Sequence, residues 1–350
     1  MKIQFAKNFA DIASVENFLE AWREFVKGKR GKRDVQEFSL HLIDNLFLLH
    51  DDLVYHTYRH GGYQAFNISD PKPRNIHKAS VRDRLVHHAI YRVLYPFFDK
   101  AFIADSFSCR KEKGTHRALN RFRIFAYKVS KNNTRTCWVL KCDIRKFFAN
   151  INHTILMRIL RSYIRDGEII ELLQEIISSF SSMRPGAGPP SHSFGWAGLP
   201  LGNLTSQLLV NVYMNEFDQF VKHGLKARYY LRYADDFIFL SKDRVWLEQN
   251  TLLIREFLRE KLQLTLHPDK VFIKTLASGV DFLGWVHFPD HRVLRTSTRR
   301  RMMKKIMASH TPETFNSYFG LLAHGNTRKL HTDVSAMLHD EEKLRYDRSQ

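Results

Sequence analysis

Apolar residues recur along this chain in two periods, and the changes between them mark its elements. A stretch beginning at residue 63 alternates as a strand does; from Val81 the spacing turns helical, through Leu85, Ala89, Val93 and Leu94. The N-terminal third reads as largely helical, broken by the basic loop KGKRGKR at 27–33. CWVLKCD at 137–143 predicts a strand that ends on a carboxylate, and a helix follows from Asn152, an N-cap, through Ile155, Ile159 and Leu160. SSMRPGAGPPSHSFGWAG at 181–198 predicts a loop. After it, Leu201, Leu204, Leu208, Val212 and Tyr213 form one helical stripe, with Gly224 as its C-cap. RYYLRYADDFIFLS predicts two strands meeting at paired aspartates. A helix over 245–262, strands KVFIKT and GVDFLGWVHF, and a basic helical tail from Arg292 complete the chain, which shows no internal repeat. The order is α+β, built on a small antiparallel sheet.

Within that pattern one segment breaks the rule. RYADDFIFLS at 232–241 sets Asp235 and Asp236 between Tyr233 and a run of large apolar residues. A solvated turn would favour Gly, Asn or Ser there, and burying two neighbouring carboxylates costs several kcal/mol. A divalent metal would offset that cost. A two-metal centre needs a further carboxylate, and Asp143, at the end of the 137–143 strand, supplies it if the two strands lie side by side.

Composition sharpens the picture. The chain has 350 residues, with 55 Lys and Arg against 36 Asp and Glu, a net charge of +19. Such a balance points to a polyanionic partner. No window is long and apolar enough for a membrane span and the N-terminus lacks a signal-peptide core, so nucleic acid is favoured over a membrane. Three cysteines without CxxC spacing argue against a zinc site or a disulfide framework; buried thiols in a reducing cytoplasm are expected.

Together these residues resemble a reverse transcriptase. YADDF resembles the family's Y-x-D-D signature and CDIRKFF its first catalytic-aspartate motif. GLPLGNLTSQ at 198–207 is similar to the template-and-nucleotide motif, HPDKVFI to the lysine-bearing motif, and VDFLGW to the primer-grip hairpin. VRDRLVHHAI and DSFSCRKEKGTHRAL resemble the two fingers motifs. The resemblance implies a right-hand polymerase fold: N-terminal segment and fingers over 1–137, palm over 138–290 with a primer-grip hairpin at 271–288, and a basic helical thumb over 291–350. It implies RNA-directed DNA synthesis with template RNA, a cDNA primer and dNTPs. Asp143, Asp235 and Asp236 would serve two Mg²⁺ ions, for which Mn²⁺ could substitute. Arg74 and Arg110 would hold the triphosphate, Phe148 would exclude a ribose 2′-OH, and Lys270 would protonate the leaving pyrophosphate. Leu201, Gly202 and Gln207 would border the templating pair. Trp285 would be a stacking or packing surface of the hairpin that holds the primer terminus, and Arg299, Arg300, Arg301, Lys304 and Lys305 would lie along the duplex.

One departure narrows the resemblance. Most of the family has glutamine where Leu201 stands and Ser-Pro where Ser206 and Gln207 stand. LGNLTSQ is similar instead to the reverse transcriptases of diversity-generating retroelements, which copy RNA with errors at adenines. That subclass implies a small, basic, oligomeric accessory protein. Group II intron-like and phage-defence-associated enzymes are the alternatives, and a non-catalytic scaffold of the same fold is a distant one. The stretch after Arg292 suits a helical thumb and is too short for an added RNase H, maturase or endonuclease domain.

Overall fold

The computed structural model describes residues 3–69, 73–181, 197–309 and 311–349; apart from its ends, the loop expected at 181–198 lies outside them. The chain opens with α1 (Phe9–Ala13), α2 (Val15–Phe25), α3 (Arg33–Leu40) and α4 (Leu42–Val54), then a ribbon of β1 (Gln64–Ile68) and β2 (Arg74–Lys78). Helices α5 (Val81–Ala101) and α6 (Thr115–Val129) follow, and α5 starts where Ser80 accepts a hydrogen bond from the Asp83 amide. Next come β3 (Trp138–Asp143), α7 (His153–Arg161), α8 (Gly167–Ser178), α9 (Leu204–Gln219), β4 (Tyr230–Tyr233), β5 (Asp236–Ser241), α10 (Arg244–Leu262) and β6 (Phe272–Thr275). The chain finishes with β7 (Val280–Phe282), β8 (Trp285–His287), β9 (Arg292–Leu294), α11 (Thr296–Ala308), α12 (Pro312–Leu322) and α13 (Arg328–Ser349).

The central sheet has the order β4-β5-β3-β6, every neighbouring pair antiparallel. Its strands are apolar on both sides because both sides are covered. Leu140, Cys142, Phe237 and Phe239 face a core shared with α5, α7, α8, α9 and α10, which we call the back. Val139, Ile238 and Leu240 face a second core shared with α6, the β7-β8-β9 sheet and α11 to α13, the front. The alternation sorts successive side chains into different cores.

Several elements differ from expectation. Leu201 and Gly202 form a turn, and α9 begins after the N-cap Asn203. Gly224 does not cap α9; it ends a π-helical turn, Phe220–Gly224. KVFIKT joins the central sheet, so the expected 271–288 hairpin shrinks to β7 and β8, and residues 292–294 add a third strand before the tail becomes helical. A limit at 291 would cut this small sheet between β8 and β9. Cys137 and Cys142 are buried, whereas Cys109 is exposed, against the expectation of three buried thiols.

Candidate functional site

The last residue of β3, Asp143, stands opposite the first of β5, Asp236, in the antiparallel register. Between β4 and β5 the chain reverses through Ala234 and Asp235, and Ala234 takes a left-handed φ of 55°. The Ile144 amide donates to the Asp235 carbonyl at 3.2 Å, tying this turn to the strand that carries Asp143. Alternation along the strands puts Asp143, Asp236 and Lys141 on the front, beyond the end that α6 and the small sheet cover.

The charges there are crowded. Lys141 Nζ lies 3.2 Å from Asp236 Oδ2, and Lys270 Nζ donates to Asp143 Oδ1 at 3.0 Å. Asp236 Oδ1 is buried and has no hydrogen-bond partner. Burial is the main force lifting the Asp236 carboxyl to about 7; Lys141 opposes it, and Asp143 and Asp235 add to it. Asp235 is raised as well, by burial and then by the Asp143 charge. An orphaned buried carboxylate oxygen beside two further carboxylates suits a hard, oxygen-seeking divalent cation. Among the described residues no three acidic, histidine or cysteine side chains already form a closed cage, in keeping with two lysines holding two of the carboxylates.

The other expected residues divide. Lys270 is at the carboxylates, and Arg74, exposed at the start of β2, is near enough for its charge to stabilise ionised Asp235. The turn before α9 is stitched to β2: the His77 amide donates to the Leu201 carbonyl at 3.0 Å and Asn203 Nδ2 to the His77 carbonyl at 3.0 Å. Gly202 is required there, because at its φ of 106° a Cβ would sit 2.9 Å from the Ile76 side chain. Gln207 is half-buried in the first turn of α9. Phe148 is half-buried, packs on the back core, and its carbonyl accepts from the Leu199 amide at 2.9 Å. Arg299, Arg300, Arg301, Lys304 and Lys305 are exposed on α11, while Met302 and Ile306 enter the front core.

Two of the expected residues are engaged within the protein itself. The Arg110 side chain is 5% exposed and pairs with Asp99 at 2.7 Å. It also donates to the carbonyls of Asp99, Ile103 and Ser106, which with the Asp99 carboxylate engages four of its five donors. Of the two expected roles for Trp285, stacking or packing, its burial fits packing: it is 1% exposed, and a Cβ at Gly325 would fall 2.0 Å from its ring.

A second charged set, not predicted from the sequence, lies on the back of the same strands. Arg232 and Asp218 are fully buried and paired through two guanidinium nitrogens at 2.9 and 2.7 Å. Tyr230 donates to Asp218 Oδ1 at 2.6 Å, and Arg232 also reaches Asn211 Oδ1 and Ser106 Oγ. Its Nη1 donates to the Ala234 carbonyl at 3.1 Å, so it grips the turn that carries Asp235. A lone arginine inside an apolar strand was the available signal. Lys141 gave the same one, two residues before Asp143 and so on the same face.

With fold and site in view, the class follows. The family described as reverse transcriptase (RNA-dependent DNA polymerase) matches residues 69–287, and the chain belongs to it. It is an α+β RNA-directed DNA polymerase of right-hand fold, from a family that acts on template RNA and primers with divalent metal ions. Among its relatives, protein YkfC of Escherichia coli strain K12 is 27% identical over 270 residues, 68% of each chain. The group II intron-encoded protein LtrA of Lactococcus lactis subsp. cremoris is 22% identical over 293 residues, covering 63% of this chain and 45% of LtrA. An apo telomerase from Candida tropicalis, truncated from its C-terminal domain, superposes with a TM-score of 0.48 at 13% identity, over 73% of this chain and 60% of the other. Among the described residues no helix is long and apolar enough to cross a membrane.

Proposed function

We propose that the chain copies RNA into cDNA by two-metal nucleotidyl transfer at Asp143, Asp235 and Asp236. The observation that carries this reading is the register that sets Asp143 against Asp236, with Asp235 on the adjoining turn and one Asp236 oxygen buried without a partner. Two Mg²⁺ ions, when bound, would supply charge for the attacking and leaving oxygens. Asp143 and Asp235 would hold them, and Asp236 would complete the acidic floor. Lys270 leaves Asp143 to protonate the departing pyrophosphate, and Arg74 steadies the triphosphate. Phe148 blocks a 2′-hydroxyl, so Phe148→Val should admit ribonucleotides in competition with dNTPs. Fingers occupy 1–137, the palm 138–290 and a basic helical thumb 291–350.

The same reading makes this the error-prone enzyme of a diversity-generating retroelement, working with a small basic oligomeric accessory protein. Leu201 supports it: where glutamine could hydrogen-bond the templating region, leucine offers only shape, worth about 1–3 kcal/mol of discrimination. A second reading, a group II intron-like enzyme, is favoured by the similarity to LtrA. Asp235→Asn tests the polymerase reading: primer extension on RNA should fall by orders of magnitude with the melting temperature kept. Extension equal to wild type would exclude the assignment. Sequencing cDNA from a defined RNA separates the subclasses. Errors concentrated at template adenines, reduced by Leu201→Gln, support the first; uniform accuracy supports the second.

A further inference from the structure

Helix α4 is apolar on two sides. Leu46, Leu49 and Leu53 are buried and hold it against the back core. On the other side Ile43, Phe47, Leu48, Val54 and the capping Tyr55 remain between 43% and 72% exposed. A helix that is apolar all round belongs inside a protein, yet half of α4 lies bare over about 20 Å. Apolar patches of this kind mark contact surfaces.

Charge says what the contact must bring. Between Arg33 and Arg59 stand five Asp or Glu and no Lys or Arg, in a chain of net charge +19. Asp34 pairs with Lys78 and Arg84, Glu37 with Arg33, and Asp52 with Arg82. Asp44 and Asp51 are exposed and form no ion pair among the described residues. At 3.6 residues per turn these two run down the middle of the bare face, with Ile43, Phe47 and Val54 on one side and Leu48 and Tyr55 on the other. Asp51 lies in the last turn, where the helix dipole disfavours an acid, so it does not serve α4 itself. Beyond that end, where Leu53 and His56 form part of its wall, a hollow of 660 Å³ reaches α8. Its acids Glu168, Glu171 and Glu175 outnumber its cations Arg59 and Arg161. Glu168 faces His56 and Glu175 accepts from the His60 amide, which leaves Glu171 exposed and unpaired among the described residues.

Occupants of the wrong charge fall away. Nucleic acid or an anionic membrane would set phosphates against two bare carboxylates. A second copy packed α4 on α4 does no better. In a parallel pair each acid meets itself, and in an antiparallel pair centred between Phe47 and Leu48 the Asp44 of one copy meets the Asp51 of the other. Packing α4 on some basic face of a second copy would be head to tail and leave an open series. A cationic helix from a different chain satisfies both the apolar and the acidic halves of the face.

We propose that the outer face of α4 docks a cationic amphipathic helix of another protein, its apolar stripe on Phe47 and Leu48 and its Lys or Arg side chains on Asp44 and Asp51. The inference goes beyond the polymerase reading and does not rest on it. The probe is a fluorescein-labelled helical peptide of roughly 18 residues, long enough to span the face, with leucines along one side and lysines elsewhere. The reference is the same peptide with glutamate for lysine. Fluorescence anisotropy on the full chain, freed of nucleic acid, should show the lysine peptide binding at least about tenfold more tightly, and added salt should narrow the gap. Phe47→Ser with Leu48→Ser should weaken the lysine peptide by about tenfold or more. Asp44→Lys with Asp51→Lys should reverse the preference between the two peptides. Glu256→Lys with Glu260→Lys on α10, the same change of charge elsewhere, should leave it as in wild type. All four substituted positions on α4 are exposed, so the melting temperature should hold in both variants. Equal binding of the two peptides, or a preference that survives the exchange at Asp44 and Asp51, overturns the proposal. So does self-association in sedimentation velocity, or flotation with phosphatidylserine vesicles, that is lost in the Phe47 and Leu48 variant, because each puts a different occupant on the face.

Discussion

Strands β4 and β5 carry charges on both sides of one sheet, and the two sides treat them in opposite ways. Behind, Arg232 and Asp218 are sealed from water and engaged by Tyr230, Asn211, Ser106 and the Ala234 carbonyl. In front, three carboxylates crowd together, two of them lifted above their usual range and one with a bare oxygen. The first set is complete within the protein. The second is complete only with something added. A satisfied buried pair holds a shape, whereas an unsatisfied one stores a demand for a ligand. The rigid set grips the turn on which the demanding set is mounted.

The largest stability effect should come from breaking the rear set. Asp218→Ala leaves Arg232 buried and alone, and urea unfolding should show a loss of about 3–5 kcal/mol. Replacing the cluster by apolar groups of similar size, Arg232→Met with Asp218→Leu and Tyr230→Phe, should recover most of that stability. The turn would still lack its anchor at the Ala234 carbonyl, so the turnover number should fall about tenfold while KM for dNTP moves little. Recovered stability together with full activity would reduce Arg232 to packing.

A smaller effect should separate the front set by pH. The folded Asp236 carboxyl titrates at about 7 and an ordinary one near 3.8. Between those values the folded chain holds a proton that the unfolded chain releases, so metal-free stability should decline as pH rises through that window. Asp236→Asn should flatten the decline and leave the variant more stable than wild type at pH 8, measured by thermal unfolding in EDTA. Smallest of all, Lys141→Met removes the cation opposing the lift, and the window should move upward by less than about one pH unit.

How much of this was legible depended on where each residue meets its partner. The paired aspartates, the strand ending at Asp143 and the lysine after HPD announce themselves locally, because charges in an apolar run demand an explanation. The helical stripe over Leu204–Tyr213 and the strand KVFIKT were likewise visible from period alone. Leu201 was not separable from that stripe: an apolar residue one turn before a helix keeps the period, and only its bond to His77 fixes it as a turn. Arg110 was half legible for a different reason. A motif gives a residue's type and place, but its guanidinium is occupied by Asp99 and three carbonyls that the folded chain brings around it. Helix α8, apolar through Ile169, Leu173, Ile176 and Ile177, is readable from period alone. Asp218 found Arg232 across a helix-to-strand connection, and no local pattern carries that.

The alternation of β5 between two cores has an evolutionary consequence. Phe237 and Phe239 belong to one core, Ile238 and Leu240 to the other, and Asp236 shares the face of the second. Inserting or deleting a single residue within the strand would exchange the faces of every side chain beyond it. Aromatic rings would be driven into the smaller front sites, or the aspartate would be turned toward the helices. This strand can therefore change its letters over time but not its length, and new length must be accepted in the connections outside it.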